Sequence, residues 1–387
     1  MRISPILEYS STTLAIITLI GSCTALFAAS IALVHNDIKK VIAYSTMSQL
    51  GYTFLACGIS QYDIAIFHIV NHGFFKALLF LSAGAVLHAL NDEQNTNKMG
   101  GLIYMLPFTY TVMLTGSLSL MALPFLTGYY SKDLIIEAAY GQYFLSGSIG
   151  YFLGSLTAFL TSIYSLKILI LTFLGTPNGP LSNYKSSHEP SYIMSFPLII
   201  LGIFSIFFGY IFKDLFVGLG TDFFINSLFM IPQHVNILDA EFSLPLFYKF
   251  LPVILSLFGA LLAFYIYYIF PIYFYNLIFI YKSFVTLFAN SYWLDSIYEK
   301  IFLYSTFNFA NITNKIIDRG IIEIIGPYGL TNLFSNISTN KLSKLDSGII
   351  SNYATYIIFG LFSILGIILF LKDFKYILFF LSIIFIL

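Results

Sequence analysis

Long uninterrupted apolar runs, separated by short polar stretches, dominate this chain at about 12–34, 41–58, 62–90, 104–141, 146–174, 191–212, 250–270 and 353–371. A helix rising ~1.5 Å per residue needs about 20 such residues to cross ~30 Å of hydrocarbon, so eight membrane helices are predicted. Barrel strands would instead alternate in shorter segments of about 10 residues, which leaves an all-α membrane bundle. The run 104–141 is too long for one straight span and holds Pro124, Gly128 and Tyr129-Tyr130-Ser131 in its middle. This spacing predicts a broken helix, tolerated at membrane depth only inside protein or beside water.

Residues 273–350 follow a different pattern. Leu294, Ile297, Tyr298, Ile301, Phe302, Phe309, Ile312 and Ile316 recur near helical spacing, while Asp295, Glu299, Lys300, Asn308, Asn311, Lys315 and Asp318 fill the other side. Such a helix lies along a membrane or partner surface. We expect 275–325 to form one long helix lying flat on the inner face, with Gly320, Gly326, Pro327 and Gly329 interrupting the pattern at its end. The span at 353–371 then reads as a terminal anchor within 351–387. The last run, Tyr376 to Leu387, falls short of the ~17 residues needed to cross alone.

Composition agrees with this class and excludes others. Only 9% of the 387 residues are charged, against 58% hydrophobic, where a globular domain carries about 25% charged residues. A soluble enzyme is excluded, and a net charge of +0 offers no surface to nucleic acid. Cys23 and Cys57, the 2 cysteines, both sit in apolar runs and read as small hydrophobes. No leader pattern of a short apolar core with a small-residue cleavage site follows Met1-Arg2. With eight spans, Lys39, Lys40, Lys98, Lys185 and most later cations share one side, opposite Arg2, Lys213 and Lys249, which makes the first side the inner one. Two crossings within 104–141 would erase that asymmetry.

Three cations fall inside spans: Lys76, Lys132 and Lys167. A lysine at mid-bilayer costs about 2.5–3.5 kcal/mol and usually faces a bundle interior or a watery cavity. His68, His72 and Lys76 stand at i, i+4 and i+8, one stripe of one helix about 12 Å long. An imidazole accepts a proton at one nitrogen while donating from the other, and a lysine removed from water releases its proton more readily. The stripe therefore forms a candidate proton path. His-x-x-x-His is also a metal-binding spacing, but Ile69 stands where a zinc protease needs glutamate and no third ligand is evident. Lys132 follows the predicted break, and Asp133 and Glu137, four residues apart, are candidate charge partners for it. Lys167 lies nearer an interface, where a snorkelling role and a functional one are both open. His88, near a helix end, reads as a packed core residue. Between 41 and 58, Tyr44, Ser45, Thr46, Ser48, Gln49 and Tyr52 offer groups that hold water or hydrogen-bond other helices.

Three stretches are recognisable: Asn36-Asp37-Ile38-Lys39-Lys40 through Ser48-Gln49-Leu50-Gly51-Tyr52, Phe67-His68-Ile69-Val70-Asn71-His72-Gly73-Phe74-Phe75-Lys76, and Ala122-Leu123-Pro124-Phe125 through Ser131-Lys132-Asp133. With Lys98-Met99-Gly100-Gly101-Leu102 and Asp318-Arg319-Gly320, they resemble the subunit 5 family of respiratory NADH:ubiquinone oxidoreductase, in its mitochondrial form. The resemblance implies an antiporter-like helix bundle with residues 1–174 as its second five-helix repeat, two further helices in 175–272, a lateral helix in 273–350 and a terminal anchor helix. It implies proton translocation coupled to quinone reduction, with Lys76 as the central lysine, Lys132 the broken-helix lysine, and His68 and His72 on the connecting axis. Lys167 stands where the family commonly has arginine. The resemblance also implies a multi-pass place in the inner mitochondrial membrane beside other subunits of the complex. NAD, FMN, iron-sulfur clusters and ubiquinone are expected in those subunits and none in this chain. The first repeat has no counterpart in the sequence, which leaves two readings: one fragment of a split subunit, with a further chain expected to supply that repeat, or an incomplete reading frame. Large subunits of multi-subunit cation/proton antiporters share the second-repeat motifs and form the alternative, and a non-pumping structural fragment is a third reading.

Overall fold

The computed structural model describes residues 1–218, 221, 223–224, 227–231, 242–271 and 280–370. The predicted tail at 376–387 and the start of the lateral segment at 272–279 lie outside them. Two compact units emerge, Met1–Leu294 and Asp295–Leu387.

The first unit is a helix bundle: α1 (Ser11–Val34), α2 (Ile38–Gly58), α3 (Tyr62–Ala89), the half-helices α4 (Pro107–Leu120) and α5 (Leu134–Gly141), α6 (Leu145–Leu174), α7 (Tyr192–Val217) and α8 (Leu246–Ile269). Among the described residues, 6 helices are individually long and apolar enough to cross a membrane: α1, α3, α6, α7, α8 and Ile350–Ile367. Two of the eight predicted spans fall outside that set for physical reasons. Hydroxyl and amide side chains dilute the hydropathy of α2, although its Met47, Leu50 and Phe54 are exposed along one side as lipid-facing residues would be. The other is divided into α4 and α5.

Contacts with neighbours establish that 107–141 crosses once. Along α7, Leu198 packs with Val112, the Ser205 carbonyl accepts from Ser119 Oγ at 2.9 Å, Gly209 N donates to Thr127 Oγ1 at 3.1 Å, and Tyr210 faces Tyr130. Both halves therefore advance in the same direction. The same conclusion follows from α1 and α6, which run parallel. Ser11 and Leu14 share a cavity wall with Leu145 and Ile149 at one end, and at the other Lys167 Nζ reaches the Leu33 carbonyl. An even number of crossings must separate their starts, which α1, α2, α3 and one broken span supply. The inner and outer faces predicted from eight spans keep their cation asymmetry.

Glycine sets the closest approach. A Cβ on Gly21 would stand 2.6 Å from Leu55 N, and one on Gly51 the same distance from Ala25 N, so α1 and α2 pack backbone to backbone. Lys167 fastens the end of this pair where α1 gives way to α2. Its Nζ donates to the Leu33 and His35 carbonyls at 2.9 Å each and to Asn36 Oδ1 at 3.1 Å. The carbonyls at the end of α1 thus gain donors that the helix itself cannot provide. Lys167 is only 2% exposed and does not snorkel.

The predicted flat helix over 275–325 is interrupted. Lys282–Ala289 forms α9, and then Ser291, Tyr292 and Trp293 all adopt left-handed φ values of 50°, 57° and 59°. Such residues each cost about 1–3 kcal/mol and persist when surroundings over-determine them. Here Ser291 Oγ bonds Tyr44 OH at 2.8 Å, and Tyr292 OH bonds Ser30 Oγ at 2.7 Å with its ring edge-on to Phe27. Capture by α1 and α2 overrides the helical pattern. In the second unit, helix continues through 294–325, including Gly320, and breaks at Gly326-Pro327. It resumes over 327–345, and α10 (Ile350–Phe370) follows. No residue of the 295–345 stretch is buried.

Two stability outcomes follow. Gly51→Ala should lower stability by about 1–3 kcal/mol through overpacking, whereas Gly73→Ala, with nothing within 4 Å of the new Cβ, should leave it unchanged or raise it slightly. Thermal unfolding of the chain in mild detergent reads both. In the same assay Lys167→Met, which orphans buried acceptors, should cost about 1–3 kcal/mol, with Lys167→Arg recovering most of the loss.

Candidate functional site

The stripe on α3 turns into the bundle. His68, His72 and Lys76 are all buried, and the two imidazole centroids stand 6.2 Å apart. Lys76 Nζ donates to Ser45 Oγ on α2 and lies over the Phe80 ring at 5.8 Å. Ser45 also lines a small cavity with Ser117, Tyr164 and Ser165, which brings hydroxyls from α2, α4 and α6 together beside the lysine's partner.

Lys132 owes its position to the break between α4 and α5. Ala122 and Phe125 take left-handed φ values of 61° and 72° around Leu123-Pro124, and a Cβ on Gly128 would sit 1.8 Å from the Ser119 carbonyl. Only glycine permits that approach. Backbone groups freed at membrane depth need partners. Thr127 Oγ1 donates to the Phe204 carbonyl at 3.0 Å and Ser119 Oγ to the Ser205 carbonyl at 2.9 Å, both on α7. The chain restarts in a wide i→i+5 turn, Tyr129–Asp133, a geometry frequent at functional sites. Lys132 Nζ donates to Thr161 Oγ1 at 2.8 Å and lies 5.4 Å from the Tyr52 ring centroid.

The two lysine-bearing elements meet. His68 Nδ1 is 2.9 Å from Ser131 Oγ, the residue before Lys132, and Tyr52 lies edge-on to His68 while its ring underlies Lys132. A sequence of polar groups therefore runs from Ser45 and Lys76 past His72 and His68 to Ser131, Lys132 and Thr161. His68 Nε2, His72 Nε2 and both amide atoms of Gln49 and Asn71 are buried along it without protein partners. Buried groups of this kind are ordinarily satisfied, often by ordered water.

Other predicted residues fare differently. Asp133 is buried and Glu137 half-buried. Asp133 is a charge neighbour of Lys132, while the Lys132 Nζ hydrogen bond is directed to Thr161 on α6. Lys167 joins the end of α1 and stands apart from the stripe. His88 is exposed, not packed in the core. Among the described residues no group of three or more His, Cys, Asp and Glu gathers as a metal site. Sequence reasoning missed Asn71, Thr161 and Tyr164. Asn71 lies three residues after His68 on the same helix, a signal available in advance, but placing the other two required the register of α6 against α2 and α5.

Comparison with known proteins bears on this geometry. Residues 1–166 match the family described as NADH:quinone oxidoreductase/Mrp antiporter, transmembrane. NADH-ubiquinone oxidoreductase chain 5 of Rhizopus stolonifer is 55% identical over 376 residues, covering 96% of this chain and 57% of that protein. The protein of the same name from Schizophyllum commune is 52% identical over 370 residues, 95% of this chain and 54% of its own. That from Phytophthora infestans is 50% identical over 356 residues, with coverage of 91% and 53%. The chain spans about half the length of the curated relatives it matches. Its similarity to NADH-ubiquinone oxidoreductase chain 5 runs through the helices that carry Lys76 and Lys132 and on past the bundle.

Proposed function

We propose that the buried line from Lys76 through His72 and His68 to Lys132 carries protons within the membrane. The chain does this as part of an NADH:ubiquinone oxidoreductase of the inner mitochondrial membrane. The observation that carries the reading is the 2.9 Å contact of His68 with Ser131, which joins the two lysine-bearing elements through groups able to both accept and donate. The names of the relatives supply NADH and ubiquinone as the reactants; on this reading their oxidation and reduction take place in other subunits, which hold NAD, FMN, iron-sulfur clusters and ubiquinone. Asp133 and Glu137 lie on the outer side of Lys132 along the broken span and serve as proton acceptors beyond it.

In mechanistic terms, Lys76 releases a proton towards His72 as Ser45 keeps its nitrogen oriented. His72 and His68 relay it by exchanging donor and acceptor nitrogens, with ordered water bridging the rings. Ser131 passes it to the level of Lys132. The polar groups beside Ser45 admit the replacing proton from the inner side. Residues 1–174 act as one five-helix repeat, which works with a companion repeat that offers the second access route. The other membrane subunits of the complex are the remaining partners. The 295–345 helices, with apolar residues exposed throughout, lie against those subunits or the membrane surface.

Lys76→Met fills similar space while removing the titratable group, and should lower proton uptake per NADH oxidised in sealed vesicles well below wild type while assembly of the complex stays near normal. An unchanged ratio would remove Lys76 from the route. Lys132→Arg keeps the charge but holds its proton at any working pH. We expect it to impair pumping by about tenfold or more, within the range of lost proton-transfer groups, and normal pumping would make Lys132 a fixed charge.

A further inference from the structure

Two histidines outside the buried line meet on the inner rim of the bundle. His88 occupies the last turn of α3 and His188 the connection between α6 and α7, and both are exposed. Their ring centroids lie 5.8 Å apart with planes at 74°. The Ser186 carbonyl can only accept, so its 3.1 Å contact with His188 Nδ1 fixes the proton on that nitrogen and leaves the Nε2 lone pair for another partner. Metal-binding imidazoles are oriented in this way, through a hydrogen bond from the other ring nitrogen.

The backbone around both rings is held. Asn183 Nδ2 donates to the Leu90 carbonyl at 3.3 Å and Asn183 Oδ1 accepts from Asn91 Nδ2 at 3.1 Å, which ties the connection to the chain just past His88. One residue beyond His188, Glu189 Oε1 accepts from Phe108 N at 2.7 Å and fastens the same segment to the start of α4. Two imidazoles sharing one tetrahedral ion at about 2.0–2.1 Å per bond place their centroids about 5–6 Å apart, a range that includes the observed 5.8 Å, and an ion seats there once the exposed rings turn their free nitrogens towards it.

We propose that His88 and His188 form a two-imidazole site for a zinc-class divalent cation, with water completing its shell. Imidazole suits zinc and its neighbours, whereas magnesium and calcium require oxygen ligands. Occupancy pins the inner end of α3, the helix that bears His68, His72 and Lys76, to the connection leading into α7.

The test is a Zn2+ titration of the detergent-extracted complex against a chromophoric chelator, comparing the wild-type chain with His88→Gln and His188→Gln. Wild type should bind one more equivalent than either variant, with affinity at that site lowered about tenfold or more in each. Co2+ as a spectroscopic probe should give visible ligand-field bands in wild type that both variants lose, and His188→Cys should restore them with thiolate character. NADH oxidation without added metal should be the same in all the chains, which reports intact folding. Unchanged stoichiometry and affinity in both variants, or loss in only one of them, would overturn the shared site.

Discussion

An ammonium group enclosed by apolar helices dictates what can be packed around it. Burial of such a charge is costly unless it is paired or hydrogen-bonded, and this bundle answers at each lysine nitrogen with hydrogen bonds to neutral acceptors, with Asp133 as an added charge neighbour of Lys132. Lys76 bonds a serine, Lys132 a threonine with an aromatic ring beneath it, and Lys167 two carbonyls and an amide oxygen. The difference in number separates their roles. A lysine with one hydroxyl partner can lose its proton and leave no unpaired anion, because the hydroxyl can turn and donate in its place. Loss of the Lys167 proton would instead leave the end of α1 with an unfilled acceptor. The first arrangement suits transfer and the second suits fastening.

Much of the bundle was legible because its signals are local and repeat. Run length marked the helices, Pro124 and Gly128 marked the break, and spacings of four residues put His68, His72 and Lys76 on one stripe. What lay beyond reach depended on pairs distant in sequence. Asp133 lies within Coulombic reach of Lys132, as its place next along the chain suggests, but the hydrogen bond of Lys132 goes to Thr161, 29 positions away. Lys167 looked peripheral by position and is buried because the ends of α1 and α6 coincide. The unbroken helix expected at 275–325 failed for a similar reason: nothing in Ser291-Tyr292-Trp293 announces that Ser30 and Tyr44 will capture it.

Glycine and hydroxyl residues carry a second theme, the satisfaction of backbone polarity where water is scarce. Gly128 lets the restarted helix touch the Ser119 carbonyl, and the Thr127 and Ser119 side chains donate to the Phe204 and Ser205 carbonyls and so tie the break to α7. The break is therefore a supported structure with specified partners. Its neighbours on α7 are part of the conditions that hold Lys132 at depth, although none of them titrates. Gly209 belongs to the same set, since a Cβ there would stand 2.6 Å from Thr127 Cα.

The single crossing of the broken span has a geometric consequence of its own. From the start of α1 to the end of α6 the chain traverses the membrane five times if α2 and the broken span each count once, and five is odd. A path that enters at one face leaves at the other. Any second copy of this unit joined directly to it would have to be threaded upside down, its lysines facing the opposite compartment. Parity alone thus converts simple duplication into a pair of units related by a two-fold axis in the membrane plane, each presenting the same end to an opposite side.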